Sequence, residues 1–495
     1  MGMGSGRAQT VSISQAVLLV STAGRLAIAL LVTIVVGRVL TAAEFGFYAF
    51  VVTLFVLARE LMDLGTGNLA AREIALDGAR ERSVLETLLS LRLIVGACQA
   101  ILILYVAMIH ESATERAILV MSALSVPLLA VGAMGVVFQL RQKQVPPAII
   151  VISMQSAFLL GCLLLRARGA PAWSYAFLFV LREVVAMTWL FAVSRITLGY
   201  LIRPRLNWER IIAFLRRAVG LGSAAAIYNL YFYIGPIAIW FARPNAEMGA
   251  FSAAFRPINP VLALPWLLTL PMLPVLAHLA RVEPARFRDQ AAYLIPMFVG
   301  LGTLAAVLGR EFAFDILQLL YGDRYVTGEL SAVSTFQNLS LAFGFALATP
   351  VLATLLLADG KENVLLPMAL TGLAVNVALN VILLPARGFV GAALATVATE
   401  VCVFVFAIFV TTRLSIYRFS LLALCKFLLP AAGLAVLLSI APDRSGFRFV
   451  MAAFGVLVAT VAIFRMRSVR DGRRALDEHA AKRSRSIDDR RIQES

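Results

Sequence analysis

The stretch AAEFGFYAF (residues 42–50) returns later in the chain as NAEMGAFSAAF (245–255). Aligning Glu44 with Glu247, an offset of 203 residues, brings glycines and charges as well as apolar residues into register. A second pair, LLLRARGAPAWSYAFLFVLREVV (163–185) and LLPARGFVGAALATVATEVCVFV (383–405), aligns an Ala-Arg-Gly tripeptide in both copies. Chance similarity between hydrophobic stretches is the alternative, but the matched glycines and charges favour an internal repeat.

The composition is typical of a membrane protein. Of the 495 residues 61% are hydrophobic and 15% are charged, and the mean hydropathy is +0.88. Soluble globular domains carry about 25% charged residues. A chain of this length with so few charges is better divided into membrane spans of about 20 residues each. We therefore expect an all-α polytopic membrane protein.

About 14 transmembrane helices are predicted from the apolar runs between charged or Pro/Gly-containing breaks. These runs lie near residues 14–37, 45–64, 87–109, 117–139, 147–165, 173–194, 219–242, 249–277, 291–309, 331–357, 364–384, 389–411, 419–440 and 446–464. The eighth and tenth runs are longer than one span requires, so we expect them to be tilted or broken.

The repeat predicts two pseudo-symmetric six-helix bundles around a central cavity, with two extra helices at the C-terminal end. The expected units are an N-terminal bundle (1–200), a basic cytoplasmic linker (201–218), a C-terminal bundle (219–412), helices 13 and 14 (413–465) and a basic cytoplasmic tail (466–495). Because six is an even number, both bundles enter the membrane from the same side. Parallel repeats of this kind occur in transporters whose halves rock about a central site.

Lysine and arginine are concentrated at the N terminus, in the loops after even-numbered helices and in the tail. By the positive-inside rule, both termini are predicted to be cytoplasmic. Anionic lipid at that face accounts for the net charge of +16, so no nucleic-acid partner is expected. Four cysteines without CxxC spacing and three scattered histidines predict no metal site, and no cofactor is expected.

Two arginines lie deep inside predicted helices, where a charge costs about 2.5–3.5 kcal/mol on insertion scales. Arg25 lies roughly 17 Å into the first helix at 1.5 Å per residue, and it shares a polar stripe with Ser21, Thr22 and Thr33. Arg256 is followed by a series of prolines, and broken helices survive in lipid only against protein or a water-filled cavity. Both arginines are therefore predicted to line the cavity, with a structural interhelical pair as the alternative.

Other charges within the spans have two interpretations. Arg182 and Glu183 in the sixth helix and Glu400 in the twelfth occupy similar places in the two halves. They are expected either to form salt bridges inside the bundles or to take part in transport. Arg92 and Lys426 are expected to extend their charged ends to the membrane surface, as long basic side chains do.

Arg59 and Asp63 lie at the cytoplasmic end of the second helix, in the stretch LFVLARELMDLGTGN (54–68). They stand four residues apart and are expected to pair with each other in one state of a transport cycle. Basic residues outnumber acidic ones inside the spans, and the guanidinium group engages phosphate and carboxylate oxygens in pairs. The sequence therefore predicts an anionic substrate. The candidate substrate-binding residues are Arg25, Arg256, Arg59, Asp63, Arg182, Glu183 and Glu400.

Five stretches carry a resemblance to a known family. They are GRVLTAAEFGFYAF (37–50), ELMDLGTGNLAAREIA (60–75), MGAFSAAFRPINP (248–260), LYGDRYV (320–326) and NVALNVILLPARGFVGAALATVATE (376–400). In order and spacing they resemble the polysaccharide (O-antigen type) flippases of the multidrug/oligosaccharidyl-lipid/polysaccharide exporter superfamily. The similarity extends over roughly residues 10–412.

The resemblance implies a transporter of the bacterial inner membrane that is not an enzyme. Its substrate would be an undecaprenyl-diphosphate-linked oligosaccharide, moved from the cytoplasmic to the outer leaflet by alternating access. Membrane lipids, a polysaccharide polymerase and glycosyltransferases would be its other partners. Relatives carry cavity arginines in the helices of Arg25 and Arg256, so these two are the expected diphosphate ligands. The pattern departs at Thr53, which stands in the first half where Arg256 stands in the second.

Two other functions stay open. A drug or organic-cation antiporter of the same superfamily would need acidic residues deep in the cavity, whereas the spans are biased toward arginine. A membrane scaffold for polysaccharide-assembly enzymes would use the basic tail but would leave the deep arginines unexplained. An enzyme is not expected, because GLGSAA (220–225) resembles a dinucleotide-binding motif but opens a membrane span rather than following a strand.

Overall fold

A computed structural model describes residues 3–141, 143–414, 416, 421–440, 452 and 456 of the chain. Within these ranges the chain is helical, with short turns and no β-strand. Ten helices of this part are long and apolar enough to cross a membrane, or eleven if one bent pair counts as a single span. The chain is therefore an all-α polytopic membrane protein. The count of 14 is not confirmed, and the predicted last span (446–464) lies outside the described residues apart from two positions.

Eight α-helices form the first part of the fold. They are α1 (Met3–Val39), α2 (Ala42–Asp63), α3 (Thr66–Leu76), α4 (Glu81–Ile109), α5 (Ala113–Ser125), α6 (Gly135–Leu140), α7 (Val145–Ala167) and α8 (Trp173–Leu198). A 3₁₀ stretch, Val126–Met134, connects α5 to α6. Helix α1 packs along α7, α4 along α5, and α7 along α8, while α2 contacts both α4 and α8.

The second part of the fold contains longer helices and several broken ones. They are α9 (Trp208–Ala242), α10 (Asn245–Phe255), α11 (Asn259–Thr269), α12 (Leu273–Val282), α13 (Pro284–Glu311), α14 (Ala313–Tyr321), α15 (Val333–Leu341), α16 (Phe343–Ala346), α17 (Thr349–Ala358), α18 (Leu365–Arg413) and α19 (Leu421–Ile440). The predicted eighth span is broken into α10, α11 and α12. Its breaks fall at Pro257 and Pro271, because a proline removes a backbone donor and clashes with the preceding turn.

The two copies of the repeated stretch pack against each other at the starts of α2 and α10. A Cβ added at Gly46 would lie 1.9 Å from the carbonyl oxygen of Asn245, and one added at Gly249 would lie 1.9 Å from that of Ala42. The repeat alignment matches Gly46 with Gly249 and Ala42 with Asn245. The contact is therefore reciprocal, as it is between two copies related by a two-fold axis. Each glycine lets the first turn of the other helix approach its backbone.

Aromatic rings of α2 and α9 pack against each other beside this glycine pair. The Phe50 ring of α2 stacks on the Trp240 ring of α9, with centroids 3.9 Å apart and planes 4° from parallel. The rings of Phe47 and His110 also lie against Trp240, at centroid distances of 5.9 and 5.7 Å. Helices α2, α9 and α10 thus form a continuous contact between the two parts of the fold at this end.

The Ala-Arg-Gly tripeptides mark equivalent turns in the two halves. Gly169 follows α7 with a φ of +60°, and Gly388 interrupts α18 with a φ of +57°. Both angles lie in the left-handed region, which favours glycine because it has no Cβ. The chain reverses at Gly388, so that α18 has a first arm before this glycine and a second arm after it.

The two arms of α18 run antiparallel and touch along their length. Close to the bend, a Cβ on Gly391 would lie 2.2 Å from the carbonyl oxygen of Leu383. Further away, the side-chain amide of Asn376 donates to the hydroxyl of Thr399 at 3.1 Å. The arms correspond to the predicted eleventh and twelfth spans, and both pack against α9, where a Cβ on Gly235 would contact Asn380 of the first arm and Ala392 of the second.

Candidate functional site

A cavity of about 730 Å³ lies between the two parts of the fold. Its wall is formed by α1, α2, α7 and α8 from the first part and by α9 and α11 from the second. Most of the lining side chains are apolar or aromatic. Six carry arginine or glutamate charges: Arg25, Arg59, Glu60, Arg182, Glu183 and Arg256. Five of the seven predicted site residues are therefore brought together in one cavity.

Arg25 extends from α1 into the cavity and is exposed to its space. Thr33, two turns further along α1, lines the same wall, so part of the predicted polar stripe faces the cavity. Within the described residues, no hydrogen bond or ion pair reaches the Arg25 guanidinium group, and the alternative of an interhelical pair is not observed. A guanidinium group without a partner in a membrane interior is costly, so binding of an anion to it is strongly favoured.

Arg256 follows the last turn of α10 and is held against α2. Its guanidinium carbon lies 5.5 Å from the ring centroid of Tyr48 and 5.9 Å from that of Phe45. One terminal nitrogen also donates to the carbonyl oxygen of Ala49 at 3.4 Å. These contacts orient the group by cation–π attraction and leave its charge without a carboxylate partner in the described part of the chain.

Arg59 and Arg182 share the carboxylate of Glu183. Arg59 Nη2 lies 2.7 Å from Glu183 Oε2, and Arg182 forms an ion pair with the other oxygen. Arg182 also donates to Gln155 Oε1 at 2.5 Å, and its guanidinium carbon lies 4.6 Å from the ring centroid of Phe179. Because two cations meet one buried carboxylate, this group keeps a net positive charge beside the cavity.

Asp63 does not line the cavity, and its predicted pairing with Arg59 is wrong in this structure. Its carboxylate pairs with Arg92 of α4 instead and accepts from the backbone N–H of Gly67 at 3.3 Å. Arg92 is 7% exposed and also donates to the Thr66 hydroxyl, so the expectation that it extends to the membrane surface is wrong as well. Helix α2 lies between α4 and α8, and its charged residues Arg59, Glu60 and Asp63 have partners on three different helices, α8, α9 and α4.

Glu400 also lies outside the cavity. Its side chain is 0% exposed, and one carboxylate oxygen accepts a hydrogen bond from the Tyr231 hydroxyl. Glu183 and Glu400 occupy similar places in the repeat, yet Glu183 has two arginine partners whereas Glu400 has no cation beside it in the described residues. The repeat therefore predicted that the two glutamates lie at similar depths in the membrane, but not that their hydrogen-bond and ion-pair partners differ.

Several polar residues of the cavity are not among the predicted substrate-binding residues. The side-chain amide of Asn229 donates to Glu60 Oε2 at 3.2 Å and joins α9 to α2 across the cavity wall. Tyr228 and Tyr233 line the wall on the same helix. Glu60 gave the clearest signal, because a carboxylate inside a span needs a partner. Tyrosines in an apolar run gave none, since they are equally suited to packing.

The cavity combines four arginines with two glutamates, an excess of positive charge in an apolar enclosure. Guanidinium groups bind phosphate and carboxylate oxygens with paired, charge-assisted hydrogen bonds. A low dielectric strengthens such contacts relative to water. The arrangement is suited to an anionic group attached to a large, partly apolar molecule.

Comparison with known proteins gives one family match and several fold matches. The family described as polysaccharide biosynthesis protein matches residues 14–277. The lipid II flippase MurJ in an inward closed conformation has a TM-score of 0.74 at 12% identity, over 91% of this chain and 99% of that one. A search of curated proteins finds no match.

Two transporters of the MOP superfamily share the fold at lower similarity. An inward-facing MATE family transporter has a TM-score of 0.57 at 14% identity, over 80% of this chain and 94% of that one. A MOP superfamily transporter from Pyrococcus furiosus has a TM-score of 0.56 at 12% identity, over 82% and 95%. The shared architecture is that of multi-pass membrane transporters and flippases rather than of enzymes.

Proposed function

Because the chain belongs to the polysaccharide biosynthesis protein family, we propose that it moves a lipid-linked oligosaccharide across the membrane and binds the diphosphate linkage with Arg25 and Arg256. The family match and the shared fold confirm the resemblance drawn from the sequence. The specific substrate, an undecaprenyl-diphosphate-linked oligosaccharide, is the finer part of the proposal. An anionic linkage, a polar saccharide and an apolar lipid suit a cavity with basic and aromatic walls.

The free guanidinium group of Arg25 is the observation that carries this proposal. Inside a membrane protein a cation without a partner is costly, and a phosphate group would satisfy it with hydrogen bonds worth about 1.5–3 kcal/mol each. Arg256 approaches the same cavity from the other part of the fold with its charge also uncompensated. A diphosphate bridging the two would connect α1 with α10 and thereby the two halves.

Arg59 and Arg182 have a supporting role in the proposal. Both are already bonded to Glu183, so a ligand must compete with that carboxylate for them. We assign to this group the binding of acidic or hydroxyl groups on the saccharide. Asp63 and Glu400 are assigned no direct contact with the substrate.

Alternating access is the transport mechanism that the fold supports. We propose that residues 1–200 and 219–412 act as two rocking units, and that the reciprocal contact of Gly46 and Gly249 closes one side of the cavity. We propose that the protein lies in the bacterial inner membrane, as its resemblance to the flippases implies, and the distribution of Lys and Arg supports cytoplasmic termini. Glycosyltransferases and a polymerase are its expected functional neighbours.

A drug or organic-cation antiporter is less well supported by the cavity. Its two glutamates already have partners, since Glu183 accepts from two arginines and Glu60 accepts from Asn229. An organic cation would meet Arg25 and Arg256 without a free carboxylate nearby. A scaffold role would leave the cavity itself without a purpose.

Binding of a fluorescent polyprenyl diphosphate to the purified protein tests the proposal. Arg25→Ala is expected to weaken binding roughly ten- to hundredfold, because about 1.4 kcal/mol corresponds to a factor of ten. Arg25→Lys should lie in between, since it keeps the charge but loses the paired geometry. Arg288→Ala, an exposed arginine of α13 outside the cavity, is the matched control. Equal affinities for all four proteins would reject the proposal.

A further inference from the structure

A second polar cluster lies outside the cavity, where α9 packs against the two arms of α18. Its members are Tyr231 on α9, Asn376 and Asn380 on the first arm, and Thr399 and Glu400 on the second. All five are at most 2% exposed. A buried carboxyl group in a membrane protein is a candidate functional site.

The hydrogen-bond donors of this cluster are used except for one N–H of Asn376. Asn376 donates to the Thr399 hydroxyl at 3.1 Å, and that hydroxyl donates to the carbonyl oxygen of Ala395 at 2.8 Å. The Asn380 amide donates back to the main-chain and side-chain oxygens of Asn376 at 2.8 and 2.9 Å. The second N–H of the Asn376 amide has no acceptor among the described residues, so one donor of the cluster remains.

Two acceptor oxygens are left over. Glu400 accepts from the Tyr231 hydroxyl through Oε1, but its Oε2 is buried without a partner, as is Oδ1 of Asn380, in the described part of the chain. An ionised carboxylate has only acceptors, whereas a protonated one also supplies a donor. The cluster is therefore short of hydrogen atoms, and a proton on Glu400 would reduce the deficit.

The surroundings of Glu400 favour the same conclusion. Of the titratable groups on α9, the two that face it are Tyr231 and, behind it, Tyr228. Helices α15, α16 and α17, which also pack against α18, contain no titratable residue. The only charged residue of α10, Glu247, is paired with Arg243 at that helix's start. The other ionisable residues of α18 and the turn before it lie at its ends, at its bend or on its exposed face: Glu362, Arg387, Cys402 and Arg413.

Two tyrosines lie between Glu400 and the substrate cavity. Tyr228 lines the cavity wall, and its ring lies edge-on against that of Tyr231, with ring centroids 5.0 Å apart. Tyr231 is itself 0% exposed. Its single proton is directed to Glu400, so its oxygen is left to accept a proton from Tyr228. Neighbouring phenols of this kind can pass a proton from one to the next.

We propose that Glu400 is a proton-binding site that is loaded and unloaded from the substrate cavity through Tyr228 and Tyr231. In loading, Tyr231 gives its proton to the Glu400 carboxylate, Tyr228 gives its proton to the Tyr231 oxygen, and cavity water replaces the proton on Tyr228. Each phenol loses one proton and gains one, so the net result is one proton moved from cavity water to Glu400.

Proton binding would couple to transport because it acts at the joint between α9 and α18. The neutral acid is compatible with the dry contact seen here, whereas the charged form would require water or a rearrangement of α9. Neighbouring Asn229 carries any movement of α9 to Glu60 on α2. This consequence rests on the proposed transport function, but the proton site itself does not.

Infrared difference spectroscopy of the full-length protein in lipid tests the site directly. The wild-type protein is expected to show the carbonyl band of one protonated carboxylic acid that disappears in Glu400→Gln. The band should respond to pH and not to sodium ions. A band that persists in Glu400→Gln, or a wild-type band displaced by sodium at constant pH, would overturn the proposal.

The rate of hydrogen–deuterium exchange at this band tests the path. Tyr228→Phe and Tyr231→Phe are each expected to slow exchange at least tenfold, because each removes one hydroxyl from the chain. Tyr175→Phe is the control, since Tyr175 is equally buried and its hydroxyl has no partner among the described residues. Exchange at the wild-type rate in both relay variants would overturn the path.

The two proposals fail separately. An infrared band that persists in Glu400→Gln would reject the proton site but would not bear on diphosphate binding by Arg25. Conversely, an Arg25→Ala protein that binds polyprenyl diphosphate normally would reject the proposed substrate contact, while its infrared band should remain.

Discussion

Replacing Gly46 or Gly249 with alanine should open the contact between α2 and α10. Each added Cβ would lie 1.9 Å from a carbonyl oxygen, and ordinary contacts begin at 3.4 Å, so the helices must separate by about 1.5 Å. Overpacking of this kind typically costs about 1–3 kcal/mol. If only the closed state carries the cost, the closed-to-open ratio falls by roughly 5- to 150-fold.

The reciprocal contact also predicts how the two substitutions combine in the double variant Gly46→Ala/Gly249→Ala. Once Gly46→Ala has separated the helices, the Cβ of Gly249→Ala meets less resistance at the neighbouring carbonyl. The double variant should therefore cost less than the sum of the two single ones, as expected for residues that share one contact. Independent sites would instead give additive costs.

Electron paramagnetic resonance can measure the separation of the helices as the distance between two spin labels. Spin labels at Ala43 and Ala242, both exposed near the contact, would be introduced into a cysteine-free chain. Both glycine variants should shift the distances toward longer values. Gly433→Ala, a helical glycine with nothing within 4 Å of the added Cβ, should not. Wild-type distances in both Gly46→Ala and Gly249→Ala would refute the role of this contact in closing the cavity.

Two further predictions concern stability. A double-mutant cycle on the free energy of unfolding should give a coupling of about 1 kcal/mol between Arg59 and Glu183. The coupling between Arg59 and Asp63 should lie within about 0.5 kcal/mol of zero. A larger coupling for Arg59 and Asp63 than for Arg59 and Glu183 would contradict the observed pairing. Gly169→Ala should lower the free energy of unfolding by about 1–2 kcal/mol, because an alanine is strained in the left-handed region. Gly388→Ala should lower it further, because its Cβ would also lie 2.9 Å from a carboxylate oxygen of Glu247 on α10. Denaturation in detergent measures both, and equal costs would show that this carboxylate moves aside freely.

Features that depend on periodicity and on the cost of burial were predictable from the sequence. The repeat of AAEFGFYAF indicated that α2 and α10 are equivalent, and the two helices meet at their matched glycines. The depth of Arg25 and Arg256 indicated a cavity, because a membrane interior tolerates such charges only beside water or a ligand. The prolines after Arg256 likewise indicated the broken helix that is observed.

The choice of ion-pair partners was not predictable. Spacing by four residues brought Arg59 and Asp63 near each other on α2, but it gave no information on the charges that α8 and α4 place on either side. Glu183 and Arg92 provide those charges in three dimensions. The cluster around Glu400 was missed for the same reason, since it forms only when α9 meets the folded-back arms of α18.

Translocation of a lipid-linked oligosaccharide in proteoliposomes tests the central claim most directly. The protein would be reconstituted with a polyprenyl-diphosphate-linked oligosaccharide, and arrival of the saccharide in the opposite leaflet would be followed by its accessibility to an added glycosidase. Arg25→Ala is expected to reduce the rate at least tenfold, while Arg288→Ala keeps the wild-type rate. Translocation by Arg25→Ala at the wild-type rate would contradict the account.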